Sequence, residues 1–251
     1  MKRGSLVAAC IVALCVLVAS SLSADEVAEN LQSVVLETFD NPDESRWIVR
    51  GSKFLAEGDE YEVPFRFQYV EAWPRALYRE EPEDFTPQSL GVQASFTRRG
   101  YNYLEFIPVE AEDDQDGNPV PRAINIPGRV QNLDLWVWGS NHDYYMEVQL
   151  RDHRGVVHVL ELGRINFRGW RNLRVRIPTY ISQSVQYVPQ LQTLELVKLV
   201  LWTVPSERVD GFWVYLDQVK VFTDVFESPF DGESLANPER IEEIWNTGGG
   251  E

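Results

Sequence analysis

Cysteine is almost missing from this chain. Cys10 and Cys15 are the only two, and both lie in an apolar stretch near the N-terminus. Past Cys15 there is no thiol, so a disulfide framework, a thiolate metal site and a cysteine nucleophile are all excluded. Histidine is scarce too: His142, His153 and His158 are the full set, and no cysteine or carboxylate cluster joins them to complete a metal site. Basic residues are outnumbered, 23 Lys and Arg against 39 Asp and Glu, giving a formal charge of −16. So acidic a chain repels phosphate backbones, which sets nucleic acid aside as a partner. The longest apolar run, Leu6 to Val18, is shorter than the ~20 residues of a membrane-spanning helix. Neither a Gly-x-Ser-x-Gly elbow nor a Gly-rich phosphate loop occurs. Carboxylates are plentiful, yet nothing in the sequence singles out a facing pair for glycoside chemistry. The expectation is a protein without catalytic activity.

What is present begins with a targeting signal. Lys2 and Arg3 precede the apolar run, and small residues Ala19, Ser20, Ser21 and Ser23 follow it. That order describes a cleaved secretory signal peptide over 1–23. Val7-Ala8-Ala9-Cys10 resembles a lipidation site, but the apolar run follows this cysteine instead of leading to it. Cleavage removes Lys2 and Arg3 and takes the formal charge from −16 to −18. The exported chain then has no membrane span, no cysteine and enough length for one large core.

Residues 132 to 222 organise the rest. Leu133, Leu135 and Val137 alternate with polar or aromatic neighbours, as do Met146, Val148 and Leu150, and Leu173, Val175 and Ile177. A period of two places one set inward and the other outward in strands, and no helical period fits. Turn residues separate these runs, notably Gly139-Ser140-Asn141 and Asp152-His153-Arg154-Gly155. The fold class expected is all-β, an antiparallel jelly-roll β-sandwich over 24–228 with long acidic loops, then a tail over 229–251. Upstream, residues 34–39, 47–51 and 65–70 read as strands, with Pro64 suiting an edge position. Leu90 to Phe96 and Tyr101 to Ile107 read as a hairpin across Arg98-Arg99-Gly100. In the last run Val214 and Leu216 share one parity and Val219 and Val221 the other, so one extra residue, a β-bulge at Asp217-Gln218, would keep all four inward. Asn237-Pro238 caps a short C-terminal helix whose Ile241, Ile244 and Trp245 share a face.

The long segment from Ala72 to Ser89 carries Trp73, Tyr78 and Phe85 among Glu80, Glu81, Glu83 and Asp84, with three prolines. Loops of this length are commonly functional. A second acidic loop, Glu110 to Asn118, superficially resembles a calcium loop. The final ligand position of that pattern falls on Ala123, so a solvated turn is the reading here.

Three groups of residues carry a resemblance. They are Glu37-Thr38-Phe39-Asp40; Leu133 to Gly139 leading to the Asp152–Gly155 turn; and Trp170 to Pro178 followed by Tyr215 to Val221. Their order resembles the galactose-binding-like jelly rolls found in many carbohydrate-binding modules. The signal peptide, the Phe39-Asp40 start, Gly100-Tyr101-Asn102-Tyr103, the Trp202 to Asp217 region and the Asn237 to Trp245 tail more closely resemble the spirochaete flagellar filament outer layer (sheath) protein family, FlaA. That resemblance implies a periplasmic, non-enzymatic subunit coating the flagellin core, with flagellin, other sheath subunits and further copies of itself as partners. The jelly-roll resemblance also implies a structural calcium ion held by Glu37, Asp40 and Asp217; hard oxygen ligands suit that cation. Turn and bulge hydrogen bonding is the alternative role of those carboxylates.

Two functions are therefore expected. In the first, Trp73, Phe85, Trp136, Trp138 and Trp245 form contacts between subunits in a filament coat, since exposed aromatics beside polar rims suit such contacts. In the second, the chain is a periplasmic non-catalytic carbohydrate-binding module in which Trp136, Trp138 and Tyr145 stack on sugars.

Overall fold

A computed structural model describes residues 30–78, 80, 82–183, 185, 186, 191–225 and 245. The strands are β1 (Leu31–Glu37), β2 (Arg46–Gly51), β3 (Arg66–Glu71), β4 (Gln88–Ala94), β5 (Tyr103–Val109), β6 (Ile124–Asn125) and β7 (Arg129–Ser140). They continue with β8 (Tyr145–Arg151), β9 (Val157–Arg164), β10 (Arg168–Arg176), β11 (Val185–Gln186), β12 (Leu191–Gln192), β13 (Glu195–Trp202) and β14 (Phe212–Asp224).

Two six-stranded antiparallel sheets form the sandwich. The first runs β10-β7-β14-β4-β3, with β1 also on β14; the second runs β2-β5-β13-β8-β9, with β6 also on β13. The alternating residues form the shared core: Leu133, Leu135 and Val137 of β7 and Met146, Val148 and Leu150 of β8 are fully buried. This matches the period-two reading, because each strand wets only the face turned from the opposite layer. The all-β, two-layer antiparallel expectation is thus met. Among the described residues no helix is long and apolar enough to cross a membrane. The short C-terminal helix falls outside the described residues, apart from Trp245, which is helical and exposed.

Strand β14 is the spine of the first sheet. Its Phe212–Leu216 half pairs with β4 and its Val219–Asp224 half with β1, so β1 and β4 lie end to end along one side of it. The other side pairs with β7. The register of that pairing shifts between Asp217 and Lys220, and Gln218 takes φ 44°. This is the bulge expected from the parity switch, and Val214, Leu216, Val219 and Val221 all face the core.

The expected hairpin between Leu90–Phe96 and Tyr101–Ile107 does not form. Both sides of β4 are taken, by β3 and β14, so the chain crosses and β5 pairs with β2 and β13 in the other layer. The crossing is tied down by the Asn102 amide N–H on Thr203 Oγ1 (2.9 Å) and the Thr203 hydroxyl on the Gly100 carbonyl (2.7 Å).

Candidate functional site

The outward face of the first sheet gathers most of the residues singled out by sequence. Because Leu133, Leu135 and Val137 point inward, Trp136 and Trp138 point outward from β7, each half-buried. Antiparallel register then sets Trp170 of β10 and Tyr215 of β14 on either side of Trp138. The Tyr215 ring meets Trp138 edge-on at 5.3 Å and lies 6.5 Å from Trp170. Tyr215 has room only because its neighbour on β4 is Gly91, where a Cβ would come within 2.9 Å of the phenol ring. Such edge-to-face contacts fix ring orientation as well as adding buried area.

The loop between β3 and β4 closes over one side of this face. Trp73 and Arg75 of the loop, with Ala72, meet Trp170 around a cavity of about 440 Å³. Further along, Tyr78 packs edge-on against Phe85 at 6.0 Å. Burial raises the Tyr78 phenol pKa, and the charges of Asp40 and Asp217 raise it further. Trp73 is half-buried, whereas Phe85 keeps 43% of its surface exposed. One row along from Trp138, Asn172, Trp136 and Asp217 face each other in register.

Asp217 is the most perturbed acid here. It is buried at the bulge, and burial, with the nearby Asp40 charge, pushes its carboxyl up to about 8. Ser89 Oγ lies 2.5 Å from the Ala72 carbonyl and 3.2 Å from Asp217 Oδ2. A hydroxyl has one hydrogen. Ser89 thus divides its one hydrogen between the Ala72 carbonyl and Asp217, and ties the start of the loop to the spine of the sheet.

The three carboxylates expected to share calcium are divided. Asp40 accepts the Gln88 amide N–H at 2.8 Å and influences Asp217. Glu37 turns elsewhere: its Oε1 accepts the Phe39 N–H at 2.7 Å, and its Oε2 accepts the Trp47 indole N–H at 2.8 Å and the Ser45 hydroxyl. These donors hold Phe39 at φ 65° with its ring 5.3 Å from Trp47. Glu37 thus serves the tight turn after β1. A carboxylate filled by N–H and O–H donors does not fit as a cation ligand. Among the described residues no group of three His, Cys, Asp or Glu is placed to hold a metal ion. In the Glu110–Asn118 loop, Asp114 accepts the amide N–H groups of Asp116 and Asn118, as a solvated turn does.

Trp136 and Trp138 do not share a platform with Tyr145. Tyr145 lies on the outward face of the second sheet, where its registered neighbour is Trp202. Trp245 is 80% exposed. Sequence reading missed Trp170, Arg75 and Tyr215; only strand pairing brings them beside Trp138 and Trp73.

Comparison with known proteins gives the following. Residues 74–230 match the family described as flagellar filament outer layer protein FlaA. A flagellar filament outer layer-like protein of Brachyspira hyodysenteriae is 23% identical over 194 residues, covering 70% of this chain and 84% of that protein. Among solved structures, TmCBM61 in complex with β-1,4-galactotriose aligns at 15% identity and TM-score 0.40, over 74% of this chain and 94% of that one. A family 11 carbohydrate-binding module of a Clostridium thermocellum cellulosomal cellulase aligns at 9% identity and TM-score 0.39, over 80% of this chain and 99% of that one.

Proposed function

Because the chain belongs to the flagellar filament outer layer protein FlaA family, we propose that it is a non-catalytic structural subunit of a periplasmic flagellar filament. In this reading the jelly roll is exported by a cleaved signal peptide, packs with further copies and sheath subunits around a flagellin core, and influences motility. The family match over residues 74–230 carries the proposal.

The aromatic face of the first sheet supports it. A coat subunit needs a surface that buries aromatic area against a neighbour within a polar rim. Trp73, Trp136 and Trp138, with Trp170 and Tyr215, supply half-buried rings. Phe85 and Trp213 add exposed area, 43% and 38% respectively. Asn172 and Lys220, anchored on the buried Asp134 carboxylate at 2.7 Å and 3.5 Å, form part of a pre-arranged polar border. Trp245 gives a second aromatic contact from the tail.

Fractionation tests this reading. Purified periplasmic flagella are expected to contain the chain, and its deletion is expected to change filament stiffness or curvature while the flagellin core persists. Absence from purified filaments refutes the assignment.

A further inference from the structure

The outward face of the second sheet carries a different set of aromatics. Tyr103 of β5, Trp202 of β13 and Tyr145 of β8 stand opposite one another in register. Tyr103 and Trp202 have centroids 5.2 Å apart; Trp202 and Tyr145 are 6.4 Å apart and nearly parallel, at 15°. All three are half-buried, and Tyr101 beside them is 67% exposed. Trp202 is not free to swing, because its indole N–H donates to Glu147 Oε2 at 2.7 Å.

The next row along the same face is polar. Glu105, Val200, Glu147 and Glu161 follow one another across β5, β13, β8 and β9. Val200 is buried and makes a low floor between two carboxylates. Beyond it lies Lys198, opposite Gln149. The charges here are mostly matched within the face: Lys198 with Glu105 at 2.5 Å, Arg151 with Glu195 at 2.6 Å, and Arg164 with Asp143 at 2.7 Å. Three of these five carboxylates are paired with cations, so the face keeps a mild negative charge, which disfavours an anionic partner. Fixed acceptors and donors stand at the edge of a row of rings in which Trp202 and Tyr145 are nearly parallel and Tyr103 meets Trp202 edge-on at 60°.

We propose that this row is a binding platform for a neutral saccharide chain. Sugar rings present apolar C–H faces, which rest on aromatic rings, and equatorial hydroxyls, which donate to carboxylates such as Glu147 and Glu161. Three rings on three adjacent strands span roughly 10 Å, set by the ~4.8 Å strand spacing, so the platform takes more than one sugar unit. It lies on the layer opposite the aromatic face assigned to subunit packing, so a filament subunit can present it outward.

Isothermal titration of the signal-free chain with cellohexaose, xylohexaose and galactotriose, and with oligogalacturonate as the charged control, tests this. At least one neutral oligosaccharide is expected to bind. Tyr145→Ala and Trp202→Ala are each expected to weaken it about tenfold, the loss of one stacked ring, while Trp138→Ala leaves it unchanged. If Trp202→Ala lowers the melting temperature, Glu147→Gln keeps the shape and is expected to weaken binding with an unaltered circular dichroism spectrum. The proposal is overturned if no neutral oligosaccharide binds, if only oligogalacturonate does, if Trp138→Ala has the same effect as Tyr145→Ala, or if both Tyr145→Ala and Glu147→Gln bind as the parent does. Co-sedimentation of the same variants with filaments separates this outcome from that of the coat reading, since none of Tyr145, Trp202 and Glu147 lies on the first sheet.

Discussion

Replacing Asp217 with asparagine should flatten the pH dependence of stability near neutrality. In the folded chain the Asp217 carboxyl sits at about 8, raised first by burial and then by Asp40, against an ordinary value of 3.8. Between those two values the folded state binds a proton that the unfolded state has lost. Stability from this group is therefore fully present below about pH 4, falls as pH rises through the window, and is constant above about pH 8. Each pH unit in the window removes at most about 1.4 kcal/mol, so the ceiling is about 6 kcal/mol, of which about 2 kcal/mol falls between pH 6 and pH 8. Asparagine carries no titrating proton and preserves the shape. Urea unfolding of both proteins at pH 6, 7 and 8 gives the stability difference at each pH, and contributions from other carboxylates and the histidines cancel in it. The Asp217→Asn variant is expected to gain on the parent by about 2 kcal/mol from pH 6 to pH 8. A difference that does not change with pH refutes the reasoning, because Asp217 would then ionise as freely in the fold as outside it.

Three further outcomes follow from the same geometry. Gly91→Val adds a Cβ that would lie 2.9 Å from the Tyr215 ring, and two methyl groups beyond it; an overpacking loss of about 1–3 kcal/mol and a changed near-ultraviolet dichroism spectrum are expected, and an unchanged spectrum counts against the ring packing. Gln218→Gly relieves the left-handed backbone at the bulge and should raise stability by about 0.5–1 kcal/mol in urea, whereas Gln218→Val should lower it by a similar amount or more. Removing divalent cations with a chelator should leave the melting temperature unchanged, because Glu37 is already filled by the Phe39, Ser45 and Trp47 donors; a rise on adding calcium restores a cation to Asp40 and Asp217.

Local pattern carried the layers into view and long-range pairing did not. The alternation at Leu133, Leu135 and Val137 was readable because each strand is half wet, and the bulge was readable because four apolar side chains had to face one core. The residues on the outward faces gave no such signal. Nothing within the sequence neighbourhood of Trp138 points to Trp170 or Tyr215, and nothing near Tyr145 points to Tyr103 or Trp202. For the same reason Trp136, Trp138 and Tyr145, close in sequence, read as one platform although the chain changes layers between Ser140 and Tyr145. The supposed hairpin failed likewise, since the turn residues at Arg98 to Gly100 say where the chain bends and not which neighbours β4 already has. Glu37 reads in the sequence as a candidate calcium ligand; the donors that fill it, among them the Trp47 indole, are brought to it by the turn after β1.

Strand β14 unites the first strand of the sandwich with β4 and β7, and among the described strands it is the last to be synthesised. One layer therefore has no centre until Phe212–Asp224 is available. Contacts between strands far apart in sequence, such as β1 with β14, are slow to form. A message cut short before Phe212 would produce two flanking groups of strands with nothing between them, and the expected fate of that fragment is degradation, not a smaller working subunit.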